Sequence, residues 1–320
     1  MVQMRTHTCG ELRLSDAGKQ VKLVGFMENV RAVSASLAFV VLRDFYGTTQ
    51  IVVESEEMMA IISDLNKEST ISVTGTVRER SSKNPKLPTG EIEIEANELV
   101  MESASEVTPI YIPDEKADEN EEVRLKHRYL DLRREKLHNN IILRSKVIKF
   151  LREKMWEKGF NEFQTPILTA SSPEGARDYL VPSRIHRGMF YALPQAPQMF
   201  KQLLMVSGFD KYFQIAPCFR DEAARADRSP GEFYQMDMEM AFASQEDVLT
   251  VLEEVLLPVY EKFGKYQRIS PAPFRHIPFN EAMERYGSDK PDLRIDLEVQ
   301  DVSETVQGCG FGPFENACVK

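Results

Sequence analysis

The chain has 320 residues, of which 42% are hydrophobic and 28% charged, and this is ordinary for a protein of two or three globular domains. No apolar run approaches the roughly eighteen residues that a membrane span needs, and the first ten residues lack the apolar core of a signal peptide. The net charge of −10 argues against nucleic-acid binding through bulk electrostatics, although local basic patches and stacking side chains would suffice. We therefore expect a cytoplasmic multidomain enzyme or binding protein.

The four cysteines are far apart in the sequence and form no Cys-x-x-Cys pair; they are Cys9, Cys218, Cys309 and Cys318. The five histidines are also scattered. This distribution predicts neither a disulfide framework nor a zinc site, as expected in a reducing compartment.

The first hundred residues carry the pattern of a β-barrel. Apolar or alternating runs bounded by turn residues predict strands at 21–26, 37–42, 49–54, 71–77 and 91–96, and helical spacing at 56–65 predicts a helix before the fourth strand. This order is that of an OB-fold, which binds single-stranded nucleic acid on aromatic stacking platforms. The candidate platforms are Phe26, Phe39 and Phe45, although a Phe in a strand more often belongs to the core.

A linker is predicted after the barrel. Residues 109–122 combine prolines with an acidic run, which indicates a solvated connector. The chain then turns basic at Arg124, Lys126, Arg128, Arg133, Arg134 and Lys136. Two interpretations stay open at this point: a hinge that touches an RNA backbone, or the polar face of a helix.

The next segment predicts a long helix followed by a strand. Residues 139–157 are amphipathic, and Gly159 suits the position just past a helix end. Residues 160–168 predict a strand that Pro166 confines to an edge or an interface. Another helix is predicted from Ser244, with Asp247 as its capping partner, and the pattern weakens after Pro271.

The most specific local pattern is an antiparallel hairpin with a long charged loop. The letters FRDE at 219–222 end its first strand, and GEFYQMDME at 231–239 returns with period-two alternation. Arg220 at the strand edge could direct two N–H donors at a phosphate, and Glu222 points to the same face. The loop adds Arg225 and Arg228. Taken alone, the pattern also fits an ordinary solvated hairpin.

Several motifs together resemble the class II aminoacyl-tRNA synthetases. They are RYLDLR at 128–133, SPEGARDYLVPSR at 172–184, YALPQAPQMFKQ at 191–202 and GSDKPDLR at 287–294. The hairpin segment, FRDEAARADRSPGEFYQMD at 219–237, is similar to motif 2 of the bacterial-type aspartyl-tRNA synthetases in particular. The likeness covers essentially the whole chain, and the motifs are too long for a chance match.

This resemblance implies an α+β multidomain protein. It implies an OB-fold anticodon-binding domain at 1–108 and a linker or hinge at 109–138. The N-terminal part of a class II catalytic domain, an antiparallel sheet flanked by helices with motifs 1 and 2, would then occupy 139–286, and the incomplete start of a bacterial insertion domain 287–320. Motif 1 implies a homodimer formed through residues 143–168. Because the family's motif 3 would follow Lys320, we expect an N-terminal portion of a longer enzyme or a truncated gene product.

The implied activity is a two-step ligation. L-aspartate is activated with ATP, usually with Mg²⁺, and is then transferred to the 3′ end of tRNA-Asp or, in relaxed relatives, also of tRNA-Asn. The ATP-binding residues would be Arg220, Asp221, Glu222 and Gln235, and the aspartate-binding residues Glu174, Gln198, Lys201, Arg220 and Asp237. Arg220 would act catalytically as a permanently charged fork on the α-phosphate and the substrate carboxylate. Ala196 stands where many relatives carry Ser.

In the barrel, the resemblance implies that Phe39 stacks on the central anticodon base, Gln50 reads a base edge and Arg31 belongs to a basic cluster. Two alternatives remain open. One is a truncated, non-catalytic tRNA-binding fragment of the same enzyme. The other is a sister enzyme for asparagine or lysine, which the motif at 172–184 and Lys201 disfavour.

Overall fold

The chain folds into two units, Met1–Ile142 and Leu143–Lys320. The computed structural model describes residues 4–112, 119–172, 175–223, 231–265 and 270–318. No helix in these ranges is long and apolar enough to cross a membrane.

The first unit contains a closed five-stranded barrel. Its elements are β1 (Gln20–Ala32), β2 (Ala38–Asp44), β3 (Gly47–Val53), α1 (Glu56–Ser63), β4 (Thr70–Glu79) and β5 (Ile92–Ser103). The strand order is β1-β2-β3-β5-β4, and β4 returns to β1 to close the barrel. The predicted OB-fold is therefore confirmed. Strand β1 is longer than predicted because its first half pairs with β4 and its second half with β2.

Alternation along the strands fills the barrel with aliphatic side chains. In β2, for example, Ala38, Val40 and Leu42 are fully buried, while the residues between them face outwards. Helix α1 adds Met59 and Ile62 to this core. Its first turn is capped by Ser55, whose side chain accepts a hydrogen bond from the Met58 N–H.

The segment after the barrel packs more closely than predicted. Helices α2 (Glu121–Lys126) and α3 (Arg128–Asp131) lie within the predicted linker or hinge at 109–138. Ile110 and Ile112 form a small apolar cluster with Leu130 and are nearly fully buried, so the prediction of a solvated connector is wrong for the start of this segment. Burying these two aliphatic side chains stabilises a packed connector over a solvated one.

Most of the basic residues of this segment form ion pairs inside the first unit. Asp131 is fully buried and accepts hydrogen bonds from Arg124 at 3.1 Å and from Arg128 at 2.6 Å. Arg133 pairs with the buried carboxylate of Glu68 at 2.7 Å. Arg134 pairs with Glu119. These four arginines hold the segment together, which favours a structural role over contact with an RNA backbone.

The second unit contains a three-stranded sheet and a separate two-stranded pair. The strands of this unit are β6 (Asn161–Glu162), β7 (Leu180–Pro182), β8 (Phe190–Ala192), β9 (Lys211–Phe219) and β10 (Glu232–Met240). Its helices are α4 (Glu135–Glu157), α5 (Gln198–Val206), α6 (Gln245–Phe263), α7 (Phe279–Tyr286), α8 (Ser303–Val306) and α9 (Gly312–Cys318). Strands β10, β9 and β6 form the sheet, and β7 pairs with β8 separately. The boundary between the units falls within α4.

The predicted helices of this region are confirmed, and one strand is largely wrong. Helix α6 begins with the expected capping box between Ser244 and Asp247. Only residues 161–162 of the segment predicted at 160–168 form a strand. Further on, Thr165 bonds to the side chain of Gln214 instead of a neighbouring strand: its N–H lies 3.4 Å from Gln214 Oε1 and its hydroxyl oxygen 2.8 Å from Gln214 Nε2. Side-chain hydrogen bonds thus replace the ladder there.

Candidate functional site

The hairpin of β9 and β10 has one polar and one apolar face. Antiparallel register pairs Gln235 with Ala216 and Asp237 with Gln214, and partners opposite each other share a face. Arg220 continues the register just past β9, since its N–H donates to the Gly231 carbonyl at 2.7 Å. The structure therefore brings three predicted site residues, Arg220, Gln235 and Asp237, to the same face.

The opposite face anchors the hairpin. Phe213 is buried with Met155 of α4 and Val255 of α6, and Met236 and Met238 of β10 pack against them. A cavity of about 580 Å³ lies between α4 and the hairpin and includes Arg144 and Tyr234 in its lining. Of the predicted site residues, Gln235 lines this cavity, whereas Arg220, Lys201 and Asp237 do not.

Lys201 lies between two carboxylates of the polar face. Its Nζ is 2.8 Å from Asp237 Oδ1 and 3.3 Å from Glu239 Oε2, and the Lys201 and Asp237 side chains are only 13% and 9% exposed. Burial disfavours the charged amine, but the hydrogen bonds and charges of Asp237 and Glu239 outweigh it and raise the pKa of Lys201. The amine is therefore firmly cationic and its position is fixed.

Two buried polar atoms near this pair lack a hydrogen-bond partner in the described part of the chain: Asp237 Oδ2 and Tyr212 Oη. Burial and the neighbouring Asp237 carboxylate raise the pKa of Tyr212, so its phenol stays neutral. Buried polar groups normally have partners. The free oxygen of Asp237 is thus an acceptor suited to a ligand ammonium or an ordered water.

Arg220 is available for a ligand. Within the described ranges its guanidinium forms no salt bridge, and it lies over the ring of Phe233 at 5.0 Å from the centroid. Stacking on an aromatic ring restricts a planar guanidinium while leaving its N–H donors free. The backbone of the next residue, Asp221, donates to the Arg177 carbonyl at 2.9 Å, while the Asp221 and Glu222 side chains are exposed.

Of the other predicted binding residues, Gln198 and Gln235 are described by the structure and Glu174 is not. Gln198 begins helix α5 one turn before Lys201, so both lie on the same helix face. Gln235 accepts a hydrogen bond from the Cys218 thiol at 3.2 Å. Glu174, like Arg225 and Arg228, lies outside the described residues.

Sequence reasoning missed a hydrogen-bond network around Gln195. Gln195 is 2% exposed; its amide nitrogen donates to the Ala176 carbonyl at 3.0 Å and to Asp178 Oδ1 at 2.5 Å, and its oxygen accepts from the Ala176 N–H at 3.2 Å. Asp178 also accepts from Ser171, and the hydrogen bonds from Gln195 and Ser171 lower the pKa of its carboxyl. This network fixes the loop whose Arg177 carbonyl binds the Asp221 N–H. The signal was present, since Gln195 lies inside the motif at 191–202.

The predicted anticodon residues lie on one outer face of the barrel. Register pairs Arg31 of β1 with Phe39 of β2, and the Arg31 guanidinium lies 4.8 Å from the Phe39 ring centroid. Gln50 of β3 pairs with Val41, two residues along β2 from Phe39 and therefore on the same face. The Gln50 amide donates to Glu93 at 2.8 Å and accepts from Arg80 at 2.9 Å. The structure thus brings Arg31, Phe39 and Gln50 together.

The candidate platform Phe26 is covered. Guanidinium carbons of Arg133 and Arg43 lie 3.9 Å and 5.7 Å from its ring centroid. Phe26 therefore belongs to the packing of the first unit rather than to a stacking surface.

The described residues contain no group of three or more His, Cys, Asp or Glu side chains that could hold a metal ion. They do not form a protein cage for Mg²⁺. Proteins commonly bind Mg²⁺ through substrate phosphates together with one or two carboxylates, so the ion would enter with ATP.

The chain thus combines a five-stranded OB barrel with a helix-flanked hairpin that carries a stacked Arg and a paired Lys. Residues 21–101 match the OB-fold nucleic acid binding domain, and residues 120–309 match the tRNA synthetases class II (D, K and N). The chain belongs to this class II tRNA synthetase family.

Curated relatives are similar over almost the whole chain. An aspartate–tRNA(Asp/Asn) ligase of Zymomonas mobilis is 57% identical over 319 residues, which cover 99% of this chain and 53% of that protein. A ligase of the same name from Rickettsia felis is 57% identical over 318 residues, 98% of this chain and 52% of the relative. The chain thus spans about half the length of these relatives.

Solved structures share the fold. An asparaginyl-tRNA synthetase from Pyrococcus horikoshii, complexed with asparaginyl-adenylate, matches with a TM-score of 0.70 at 24% identity over 82% of this chain and 59% of its own. A putative aspartyl-tRNA synthetase from Leishmania major matches with a TM-score of 0.73 at 23% identity over 83% of this chain and 54% of its own.

Proposed function

We propose that this chain carries the anticodon-binding barrel and the amino-acid- and ATP-binding hairpin of an aspartate–tRNA ligase. The observation that carries the proposal is the common face of the hairpin, which holds Lys201, paired with Asp237, and Arg220, which is stacked on Phe233 and forms no salt bridge with the described residues. Two separate cations suit a substrate with two carboxylates. The 57% identity to aspartate–tRNA(Asp/Asn) ligases supports this choice of amino acid.

Each charge on this face has a role in the proposed binding of aspartate. Lys201 binds the side-chain carboxylate, and Arg220 binds the α-carboxylate together with the α-phosphate of ATP. The free Oδ2 of Asp237 accepts from the substrate ammonium, and Gln198 and Glu174 complete the ammonium side. In ATP binding, Asp221, Glu222 and Gln235 join Arg220 along the nucleotide, and Mg²⁺ enters with the phosphates.

The reaction needs positioning and charge neutralisation more than proton transfer. In the first step, the aspartate α-carboxylate attacks the α-phosphorus of ATP and pyrophosphate leaves, giving aspartyl-adenylate. In the second, a ribose hydroxyl at the 3′ end of tRNA attacks the carbonyl and AMP leaves. A fixed guanidinium stabilises the charge on the pentacovalent phosphorus because it needs no reorganisation during the step.

The barrel face supplies tRNA recognition in this proposal. Phe39 stacks on an anticodon base, Arg31 holds the ring from the other strand, and Gln50 reads a base edge in a position set by Glu93 and Arg80. The RNA is tRNA-Asp, and the names of the relatives extend the proposal to tRNA-Asn.

We further propose a cytoplasmic homodimer formed through residues 143–168. In support, Leu143, Trp156, Ile167 and Leu168 of this segment are between 38% and 56% exposed, which is unusual for such large apolar side chains in one segment. We also propose that the chain is divided into an anticodon-binding domain at 1–108, a hinge at 109–138, a catalytic portion at 139–286 and the start of an insertion domain at 287–320.

The test is aspartate-dependent exchange of pyrophosphate into ATP by the purified chain. Exchange with aspartate, but not with asparagine or lysine, is expected, and Lys201→Met should abolish it. Lys146→Met is the matched control, since Lys146 is exposed on α4. Exchange with asparagine or lysine would overturn the choice of substrate. A folded chain that binds tRNA-Asp without exchange would instead be a tRNA-binding portion of the enzyme.

A further inference from the structure

The turn between β2 and β3 exposes two aromatic rings side by side. Phe45 and Tyr46 are 56% and 59% exposed, and their ring centroids are 4.9 Å apart at an interplanar angle of 77°. His138 meets the Phe45 ring edge-to-face at 4.9 Å, and the Arg5 guanidinium lies 5.5 Å from the Tyr46 centroid. All four residues belong to the first unit.

The turn that carries these rings is fixed by one buried carboxylate. Asp44 Oδ1 accepts from the N–H groups of Tyr46 at 2.8 Å and Gly47 at 3.2 Å. Its Oδ2 accepts from the Cys9 N–H and from Arg5 Nη1, both at 2.9 Å, and the side chain is 7% exposed. Four hydrogen bonds to one side chain leave the turn little freedom.

Close backbone contact adds to this rigidity. A Cβ on Gly10 would lie 2.1 Å from the Tyr46 carbonyl oxygen, and a Cβ on Gly47 would lie 3.0 Å from Gly10 Cα. Gly47 also has a φ of +151°. Only glycines allow residues 9–10 to press directly against this turn. The two exposed rings are therefore held in place before any partner arrives, which lowers the entropic cost of binding.

We propose that Phe45 and Tyr46 form a second stacking platform, which binds an unpaired nucleotide of the tRNA outside the anticodon stem-loop, away from the anticodon base at Phe39. Phe39 lies near the start of β2 and Phe45 directly after its end, six residues apart, which corresponds to about 20 Å along an extended strand. One base cannot contact both positions. This inference rests on the proposed tRNA binding and adds a second contact to it.

The surroundings of the platform favour a nucleotide over an apolar protein surface. One cation and one ionisable ring flank the aromatic pair: Arg5, which also pairs with Asp44, and His138. Aromatic rings next to cations are typical of single-strand nucleic-acid sites, where the rings stack on bases and the cations attract phosphates. The barrel also matches a nucleic-acid-binding domain family.

The experiment measures the affinity of the full chain for two RNAs, a full-length tRNA-Asp transcript and its isolated anticodon stem-loop, by fluorescence anisotropy at one fixed salt concentration. The test variant is Phe45→Leu combined with Tyr46→Leu, which keeps apolar area but removes both π-faces. Phe39→Ala is the positive control. Tyr260→Ala is the matched control, because Tyr260 is 55% exposed on α6.

The double variant should bind the full-length transcript about tenfold more weakly, a change that corresponds to about 1.4 kcal/mol, and the stem-loop as tightly as the unmodified chain. Phe39→Ala should weaken both complexes.

An unchanged affinity of the double variant for both RNAs, with Phe39→Ala still effective, would overturn the second platform and leave the proposed function intact. Equal weakening for both RNAs would also overturn it, because the contact would then lie in the stem-loop. If the unmodified chain binds neither RNA, the proposed function fails as well. Sedimentation of the double variant is compared with that of the unmodified chain. A change in oligomeric state without a change in RNA affinity would show that the rings contact protein, and this would overturn the proposal.

Discussion

Lys201 and Asp237 form an ion pair between helix α5 and strand β10, with Nζ 2.8 Å from Oδ1 and both side chains largely buried. The pair fixes the direction of the Lys201 amine, whose Nζ also lies 3.3 Å from Glu239 Oε2. An aspartate side chain that reaches Lys201 therefore meets a cation whose position is already set. Asp237 can keep this contact through one oxygen while its other oxygen serves a second donor.

Replacing Asp237 with Asn should lower the free energy of unfolding by about 1–2 kcal/mol, because a buried ammonium loses its nearest anion. Glu239 compensates part of that charge, which places the cost below that of an isolated buried pair. The measurement is urea unfolding of the purified chain at neutral pH. Glu284→Gln, at an exposed site on α7, should leave the midpoint unchanged. A change in Asp237→Asn no larger than in this control would contradict the prediction.

The Asp131 carboxyl should make stability depend on acid pH. Burial alone would raise the pKa of Asp131, but the hydrogen bonds and charges of Arg124 and Arg128 outweigh it and hold the pKa below its ordinary value. A carboxyl with a lowered pKa in the folded state contributes stability above its unfolded pKa of about 3.9, and this contribution is lost as pH falls through the folded pKa.

Asp131→Asn should accordingly lower the free energy of unfolding by about 3 kcal/mol at pH 7, with a smaller difference from the unmodified chain at acid pH. Urea unfolding at a series of pH values checks both points. The control is Asp210→Asn, at an exposed carboxyl between α5 and β9. Parallel stability curves for Asp131→Asn and the unmodified chain would show that this carboxyl has no such role.

Phe39→Ala should weaken the binding of the tRNA-Asp anticodon stem-loop by about 1–3 kcal/mol, the contribution of stacking one base. The Arg31 guanidinium, 4.8 Å from the ring centroid, loses its aromatic partner as well. ATP affinity should not change, because the barrel face and the hairpin belong to different units. Calorimetric titration with each ligand separates the two effects, and an equal loss for RNA and ATP would indicate general unfolding.

Gln195→Met should loosen the loop at 175–178. The substitution keeps the side-chain length but removes two donated bonds and one accepted bond at a site that is 2% exposed. We expect a loss of about 2 kcal/mol in the free energy of unfolding and faster hydrogen exchange at the Ala176 amide, which donates to Gln195. Gln202→Met, exposed on α5, is the control. Unchanged exchange at Ala176 would mean that the loop is held by other contacts.

Alternation and spacing predicted the barrel well. All five strands and α1 overlap the predicted segments, with β1 and β5 extending beyond them, because each strand has one face in the core and the period of two is visible in the sequence. The hairpin was predicted for the same reason. Its letters at 231–239 alternate between the polar side chains of the site and the methionines that pack on α4 and α6.

The sequence by itself therefore determined the barrel, the hairpin, the main helices and, through its motifs, the family. Tertiary structure decided what each polar group contacts. It paired Lys201 with Asp237, used four hinge arginines in ion pairs, covered Phe26 with two guanidinium groups and left Phe45 and Tyr46 exposed on a rigid turn. Periodicity reports which face a residue lies on. It carries no information about partners distant in the sequence, and those partners are chosen only when the elements pack.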